Sequence, residues 1–236
     1  MSTNNNENIT DNNENITNNN EKPKMSCGDC VLKTCDGSGK DDNGFYPDFC
    51  LTCGDNAMPP ELIEEAVNTY LNDPTKLKIS RMSALVEAEH YGKMTRVEEI
   101  CDFAKKMGYK KLGIATCVGL LAEARTAVKI FREQGFEAFA VSCKAGEVKK
   151  SELDMESACS SVGPMMCNPI LQAKALEKEE TDLNVVIGLC VGHDSLFYMH
   201  SVAPVTTLVT KDRVLGHNPV AALYQVNSYY SKLLGK

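Results

Sequence analysis

The sequence has no long hydrophobic run. Its longest apolar stretch, around residues 185–191, has the length of a strand, whereas a helix that crosses a bilayer needs about 20 apolar residues. The chain does not open with a basic segment followed by an apolar core, so we expect no secretory signal peptide. These absences lead us to expect a cytoplasmic protein with no membrane partner.

Positive charge is also scarce. The chain has 25 Lys and Arg against 32 Asp and Glu, a formal net charge of −7, and its basic residues are scattered along the sequence. This distribution argues against nucleic acid as a partner. Neither a phosphate-binding Walker pattern nor a dinucleotide-binding glycine fingerprint occurs, so the sequence does not support a nucleotide site.

Cysteine, in contrast, is abundant, with 11 residues in a chain of 236. In a reducing compartment this number indicates metal ligands or reactive thiols rather than disulfides. Composition divides the chain into an Asn-rich tail at 1–24, predicted to be disordered, and a Cys-, Gly- and Asp-rich segment at 25–58. The second segment has no helical or strand period, which indicates a small metal-binding module. Residues 59–236 are predicted to form helices followed by an α/β domain.

Regular patterns begin at Pro59, with helices expected to about residue 71 and over 76–89. The pair Thr95 and Glu98 forms a capping box, which starts a helix that ends at Gly108. Beyond it, four expected strands at 111–117, 137–143, 183–190 and 205–211 alternate with helices at 120–134, 169–179, 194–199 and 218–234. The alternation predicts a doubly wound, Rossmann-like parallel sheet of about four to five strands, preceded by a helical region and the Cys-rich module.

The first group of cysteines lies in the 25–58 segment and combines two Cys-x2-Cys pairs with one extra cysteine. Thiolates two residues apart can bind one ion, and a loop allows four of them to converge on zinc or on the corners of an iron–sulfur cluster. The segment has few aliphatic or aromatic side chains, so a ligand would supply what it folds around. Five cysteines compete for four positions, namely Cys27, Cys30, Cys35, Cys50 and Cys53.

The second group of cysteines lies at predicted strand and helix ends. Three of them end strands, and the fourth directly precedes a helix with Asn168 as its N-cap and Pro169 at its first position. The carboxyl ends of parallel strands lie along one edge of a sheet, where ligands bind, so these side chains should share a crevice. A helix N-terminus also favours the thiolate that binds a metal or attacks an electrophile. The predicted sheet-edge cysteines are Cys117, Cys143, Cys167 and Cys190.

Other polar residues are expected at the same edge. His193 follows Cys190 and could donate a proton or support a metal-bound group, while the neighbouring Asp194 could simply cap a short helix. His217 follows the last strand as a second candidate acid or base, and Arg213 could hold an anion. The remaining cysteines and histidines are interpreted as packing, loop or surface residues without a role in the site, namely Cys101, Cys159, His90 and His200.

Several longer stretches of the sequence, at 116–121, 166–170, 188–197, 203–206 and 211–219, resemble one family. This is an uncharacterised prokaryotic family (domain of unknown function 1847) described as predicted metal-binding proteins, and the resemblance runs from about residue 25 to the end. It implies an N-terminal metal site at Cys27, Cys30, Cys35 and Cys50, the last after a Tyr-Pro pair like Tyr46-Pro47. Cys53 departs from the family pattern and is therefore taken as the spare cysteine.

The resemblance implies metal binding but no established reaction. Its occurrence in methanogens and other anaerobes favours an iron–sulfur cluster, with 4Fe–4S preferred and zinc as the alternative. Three functions stay open: a metal- or cluster-binding protein without turnover, a cluster-dependent enzyme for sulfur transfer or reduction of a small molecule, and a metal-free thiol enzyme using Cys167.

Overall fold

A computed structural model describes residues 24–32, 35 and 46–236 of the chain. They divide into two compact units with a boundary between Asn72 and Asp73. No helix among these residues is long and apolar enough to cross a membrane. The predicted tail at 1–24 lies almost wholly outside the described residues, as do 33–34 and 36–45 of the predicted Cys-rich module.

The first unit contains a short 3₁₀ helix, Cys27–Asp29, and one α-helix, α1 (Pro60–Leu71). Ser26 and Asp29 form a capping box on the 3₁₀ helix, in which the Asp29 carboxylate accepts a hydrogen bond from the Ser26 amide at 2.8 Å. Helix α1 begins with two prolines, as expected for residues whose missing N–H costs nothing at a helix start.

The second unit begins with helices α2 (Pro74–His90) and α3 (Arg96–Met107), which pack against each other. The predicted capping box of α3 is confirmed, since the Glu98 carboxylate accepts the Thr95 amide at 2.7 Å. Gly108 then ends α3 in the left-handed conformation with φ of 79°. Local sequence signals therefore account for both ends of this helix.

The rest of the second unit is a four-stranded parallel sheet with helices. The strands are β1 (Lys111–Thr116), β2 (Glu137–Ser142), β3 (Leu183–Ile187) and β4 (Val205–Val209), in the order β2-β1-β3-β4. The helices are α4 (Leu121–Glu133), α5 (Pro169–Lys178), α6 (His193–His200) and α7 (Val220–Tyr224). Short 3₁₀ helices lie at Val118–Leu120, Lys150–Leu153, Ser157–Val162 and Ser231–Leu234. The predicted α/β fold with a doubly wound parallel sheet is confirmed.

The strand order places a topological switch point between β1 and β3. From β1 the chain crosses by α4 to β2 on one side, whereas from β3 it crosses by α6 to β4 on the other. Parallel crossovers are right-handed, so connections that run in opposite directions leave on opposite faces and open a crevice at the carboxyl ends of β1 and β3. Ligands of such sheets bind in this crevice, and Cys117 follows β1 there.

Two predicted elements are shorter in the structure. The third strand ends at Ile187 rather than Cys190, because Gly188 turns the chain with a φ of 63°. The terminal helix predicted over 218–234 is wrong, since α7 spans only Val220–Tyr224 before turns lead to the last 3₁₀ helix. There the Ser228 hydroxyl bonds to the backbone and side-chain oxygens of Gln225, local bonds that compete with the helical pattern.

Candidate metal centre

The ends of β1 and β2 place Cys117 and Cys143 side by side. The two strands pair in register from Lys111 with Glu137 to Thr116 with Ser142, and the Cys143 amide continues this ladder by donating to the Thr116 carbonyl at 2.8 Å. The Cys143 sulfur also accepts a hydrogen bond from the Val118 amide at 3.3 Å. Both cysteines are buried. Strand pairing therefore holds two thiols together at the sheet edge.

The start of α5 brings Cys167 to the other side of Cys143. The Asn168 amide donates to the Cys143 carbonyl at 2.8 Å, and the Asn168 side chain accepts the Leu171 amide at 3.0 Å, which confirms it as the N-cap. Cys167 is partly exposed. The three thiols of Cys117, Cys143 and Cys167 thus come from three segments far apart in sequence and form a row with Cys143 in the middle.

Gln172, on the first turns of α5, ties these three segments together. Its side-chain amide is fully buried and donates to the Thr116 carbonyl at 3.0 Å and to the Val141 carbonyl at 2.7 Å. It thereby fixes the end of β1 and the end of β2 to the helix that follows Cys167. Sequence analysis did not identify this residue, because a glutamine on a helix face carries no motif.

The row of thiols shares its protons unequally. The hydrogen bond with Cys143 is the main cause that lowers the pKa of Cys117 to about 5 and that of Cys167 to about 4. The same hydrogen bonds, to Cys117 first and then to Cys167, raise the pKa of Cys143. The outer two sulfurs are therefore shifted toward the thiolate, and the central sulfur is shifted toward the protonated thiol.

Cationic side chains surround the row. Lys211, which follows β4, forms a hydrogen bond with Cys117, and Lys144 adds positive charge near Cys167. His193, at the start of α6, forms a hydrogen bond with Cys167 that raises the pKa of the imidazole. These charges stabilise the two thiolates. Lys144 and Lys211 could have been found in the sequence, since each directly or nearly follows a strand end.

Cys190 is not part of this row, and its side chain instead contacts Arg213. The Arg213 guanidinium donates to the Cys190 sulfur at 3.0 Å. This bond is the main cause that raises the pKa of Arg213, and the charges of Cys117 and Cys167 add to the effect. The Cys190 carbonyl accepts the amides of His193 and Asp194, so the turn between β3 and α6 is compact. All four predicted sheet-edge cysteines therefore lie along the carboxyl edge of the sheet.

The two predicted acid–base residues differ in surroundings. The His193 ring contacts Cys167, and among the residues that the structure describes its buried Nδ1 finds no hydrogen-bond partner. His217 instead uses its Nδ1 to accept the Asp212 amide at 3.1 Å, in a turn where His217 itself has a φ of 66°. Within the described part of the chain, no hydrogen bond joins His217 to a cysteine. Its catalytic role stays a prediction without a structural contact to support it.

The sheet-edge donors fit a soft metal or a cluster better than a hard cation, because thiolate sulfur is the donor in question. Tetrahedral zinc, with Zn–S near 2.3 Å, would hold its sulfurs about 3.8 Å apart. In the parts of the chain that the structure describes, no three cysteine sulfurs all lie within 4.8 Å of one another. The sulfurs of the row are thus spaced more widely than those around a tetrahedral zinc ion.

The N-terminal cysteines are less tightly organised. Cys27 and Cys35 are exposed, while Cys30 and Cys50 are partly buried. The Cys50 sulfur accepts a hydrogen bond from the Thr52 amide at 3.3 Å, the main cause of its lowered pKa. The metal site predicted at these four cysteines stays a prediction.

Cys53 lies close to two of the N-terminal cysteines. Its hydrogen bond with the Tyr46 hydroxyl is the main cause that raises the pKa of Tyr46, and the charges of Cys50 and Cys35 act in the same direction. The thiols of Cys35, Cys50 and Cys53 thus all lie around Tyr46. Cys53, taken from the sequence as the spare cysteine, is thus the one of the three that bonds to Tyr46.

A different candidate site lies between α2 and α3. His90 Nε2 is 3.7 Å from a Glu89 carboxylate oxygen and 3.6 Å from Asp102 Oδ2, and these three ligand atoms all lie within 4.8 Å of one another. Lys106 Nζ, however, contacts both carboxylates, at 2.8 Å and 3.3 Å. A metal ion here would have to displace this ammonium group. The contact joins two helices, which is why the sequence suggested only a surface or packing role for His90.

Comparison with known proteins agrees with the resemblance of the sequence. The family model described as "Protein of unknown function (DUF1847)" matches residues 53–208, a range that includes the four sheet-edge cysteines and His193. An uncharacterised protein of Methanocaldococcus jannaschii is 40% identical over 210 residues, which cover 89% of this chain and 98% of that protein. The chain therefore belongs to the DUF1847 family.

Proposed function

We propose that this protein binds a metal centre at the carboxyl edge of its sheet, through Cys117, Cys143, Cys167 and Cys190, and that the centre is an iron–sulfur cluster of the 4Fe–4S type rather than zinc. The observation that carries the proposal is the convergence of thiols from separate segments at the switch point of the sheet. The pKa of two of these thiols, Cys117 and Cys167, is lowered, which favours the thiolate form. Cysteine thiolates are the usual ligands of such clusters.

The surrounding charges support this proposal. A cluster with four thiolate ligands is anionic, and Lys211, Lys144 and Arg213 lie where they would offset that charge. The bound group would supply electron transfer or an iron site for a small molecule. The residues of the chain would hold it, exclude part of the solvent through the buried Cys117 and Cys143, and place His193 next to one ligand. A second centre at Cys27, Cys30, Cys35 and Cys50 remains part of the proposal.

The experiment is anaerobic purification followed by iron, sulfide and zinc analysis and an absorption spectrum. We expect a broad absorption band at about 400 nm. The Cys117→Ala/Cys190→Ala variant should lose about four iron and four sulfide ions per chain. Cys27→Ala/Cys30→Ala tests the N-terminal site in the same way. Cys159→Ser, which changes an exposed cysteine outside both groups, is the matched control.

The result that would refute the sheet-edge site is unchanged metal content in Cys117→Ala/Cys190→Ala with a wild-type circular dichroism spectrum. A colourless protein with stoichiometric zinc would refute the cluster but keep the metal site. A loss of iron in the Cys159→Ser control would show that the measurement reports general instability.

A metal-free thiol enzyme that uses Cys167 is the second candidate. The contact between Cys167 and His193, just before the first turn of α5, is the observation that favours it, because a nucleophile needs a nearby base or a lowered pKa. Cys167 is also partly exposed, so a substrate could reach it.

The lowered pKa of Cys167 predicts an unusual pH profile for alkylation. With a pKa of about 4, Cys167 stays a thiolate above that value, so iodoacetamide should modify it in metal-free protein at almost the same rate at pH 8 and pH 6. An ordinary thiol with a pKa of about 8.5 would react roughly 100-fold more slowly at pH 6 than at pH 8. Peptide mass mapping measures both rates, with exposed Cys159 as the internal control. Equal slowing of the two cysteines would contradict the assignment.

A further inference from the structure

Cys143 and Cys167 form a pair of adjacent thiols with very different access to solvent. Cys143 is only 2% exposed, whereas Cys167 is partly exposed at the start of α5. The backbone beside Cys167 is bonded to that of Cys143, because the Asn168 amide donates to the Cys143 carbonyl at 2.8 Å, and this bond brings the two residues next to each other. A reagent from solvent would therefore meet Cys167 first and would have Cys143 directly behind it.

We propose that Cys167 and Cys143 form a dithiol–disulfide couple that reacts with small-molecule disulfides, with Cys167 as the attacking cysteine and Cys143 as the resolving cysteine. This activity goes beyond metal binding and belongs to the metal-free chain. The combination of an accessible cysteine with a neighbouring resolving cysteine is the arrangement on which it depends.

The reaction consists of two thiol–disulfide exchanges. The Cys167 thiolate attacks one sulfur of a disulfide RSSR, forms the mixed disulfide Cys167–S–S–R and releases RS⁻. Cys143 then gives up its proton and attacks the Cys167 sulfur, which forms the Cys143–Cys167 disulfide and releases a second RS⁻. Two protein thiols are oxidised, one RSSR is reduced to two RSH, and the protons of the cysteines are those taken up by the leaving thiolates.

The neighbours of the pair explain why Cys143 is the resolving residue. Cys117 lies on the far side of Cys143 and is held by Lys211, and Cys190 is held by Arg213. Among these cysteines of the described chain, Cys143 is the one whose carbonyl accepts a hydrogen bond from the residue next to Cys167. Gln172 fixes the end of β2 to α5, so the two thiols stay together without a conformational change. Preset geometry of this kind accelerates the second exchange.

The same two residues are ligands in the metal centre proposed above, so a bound metal and the disulfide would exclude each other. The proposed metal centre and the proposed disulfide can be tested and refuted independently of each other. A metal-free chain can be tested for the disulfide whether or not the purified protein contains iron, and the metal content can be measured whether or not the disulfide forms.

The experiment oxidises metal-free, fully reduced protein with glutathione disulfide under anaerobic conditions and maps the products by mass spectrometry. Wild type and the Cys159→Ser control should give one linked peptide pair that contains Cys143 and Cys167. In Cys143→Ser, Cys167 should accumulate a glutathione adduct that decays at least about 100-fold more slowly than in wild type. In Cys167→Ser, the remaining cysteines of the sheet edge should react no faster than Cys159.

Three results would overturn the proposal. The first is a disulfide of Cys143 with Cys117 while Cys167 stays free, and the second is a stable glutathione adduct at Cys167 in wild type. The third is equal oxidation rates for Cys167 and Cys159. Circular dichroism of each variant establishes that it is folded before oxidation, and the Cys143→Ser adduct keeps the test decisive if Cys167→Ser does not fold.

Discussion

Replacing Gln172 by leucine should lower the free energy of unfolding by about 2–3 kcal/mol and weaken the proposed metal site at least about tenfold. Two hydrogen bonds are lost in a fully buried place, although the Thr116 carbonyl keeps its bond from the Cys143 amide. Leucine keeps most of the volume of glutamine, so packing contributes little to the loss. The cost therefore reports mainly the two hydrogen bonds.

The effect on the metal follows from position rather than from ligation. The hydrogen bonds of Gln172 go to backbone carbonyls rather than to a cysteine, and they fix the backbone next to Cys117 and two residues before Cys143. Outer residues that orient ligands typically change metal affinity by about 10–100-fold. Urea denaturation and iron retention against a chelator measure the two effects. Gln134→Leu, which changes an exposed glutamine at the end of α4, is the control.

The contradicting result for Gln172 is a variant with wild-type stability and wild-type iron retention. That outcome would mean that β1 and β2 alone position the cysteines. A variant that loses stability but retains iron would separate the structural role of Gln172 from its positioning role.

Replacing Gly113 by alanine should lower the free energy of unfolding by at least about 3 kcal/mol. A Cβ atom at this position of β1 would lie 2.1 Å from Asn184 Oδ1 and 3.0 Å from a methyl carbon of Leu176. Asn184 cannot simply move, because its Oδ1 accepts the Thr181 hydroxyl and its Nδ2 donates to the Ser201 hydroxyl, both at 2.8 Å. Breaking this buried network and overpacking the core both destabilise the fold.

A matched control and a double-mutant cycle sharpen the test of Gly113. Gly119→Ala introduces a Cβ no closer than 3.8 Å to Lys211 Nζ, so its stability should stay close to wild type. Asn184→Ala removes the side chain that Gly113 accommodates, so the double variant Gly113→Ala/Asn184→Ala should be clearly more stable than the sum of the single effects. Additive losses in urea denaturation would contradict this contact.

The alternation of strand and helix patterns was enough to place Cys117 and Cys143 at strand ends and Cys167 before a helix, because parallel strands bring their carboxyl ends together. Asn168 and Glu98 were recognised as capping residues since their partners are three residues away in the chain. Signals of this kind are local, and the sequence carries them directly.

Features that depend on long-range contacts were not visible in the sequence. The hydrogen bonds of Gln172, the fit of Asn184 against Gly113 and the group of Glu89, His90 and Asp102 each join segments that meet only after folding. The terminal helix was overpredicted, because a helical pattern of apolar residues does not show that Ser228 bonds to Gln225 instead.

The sheet-edge cysteines show which features depend on sequence patterns and which depend on the folded structure. Sequence by itself determined that the chain is an α/β protein with thiols clustered at one edge of a parallel sheet, because periodicity and strand direction decide both. Only the tertiary structure decided that Cys143 lies buried between Cys117 and Cys167, and that Arg213 contacts Cys190. Proton sharing and access to solvent depend on distances between side chains, and folding alone sets those distances.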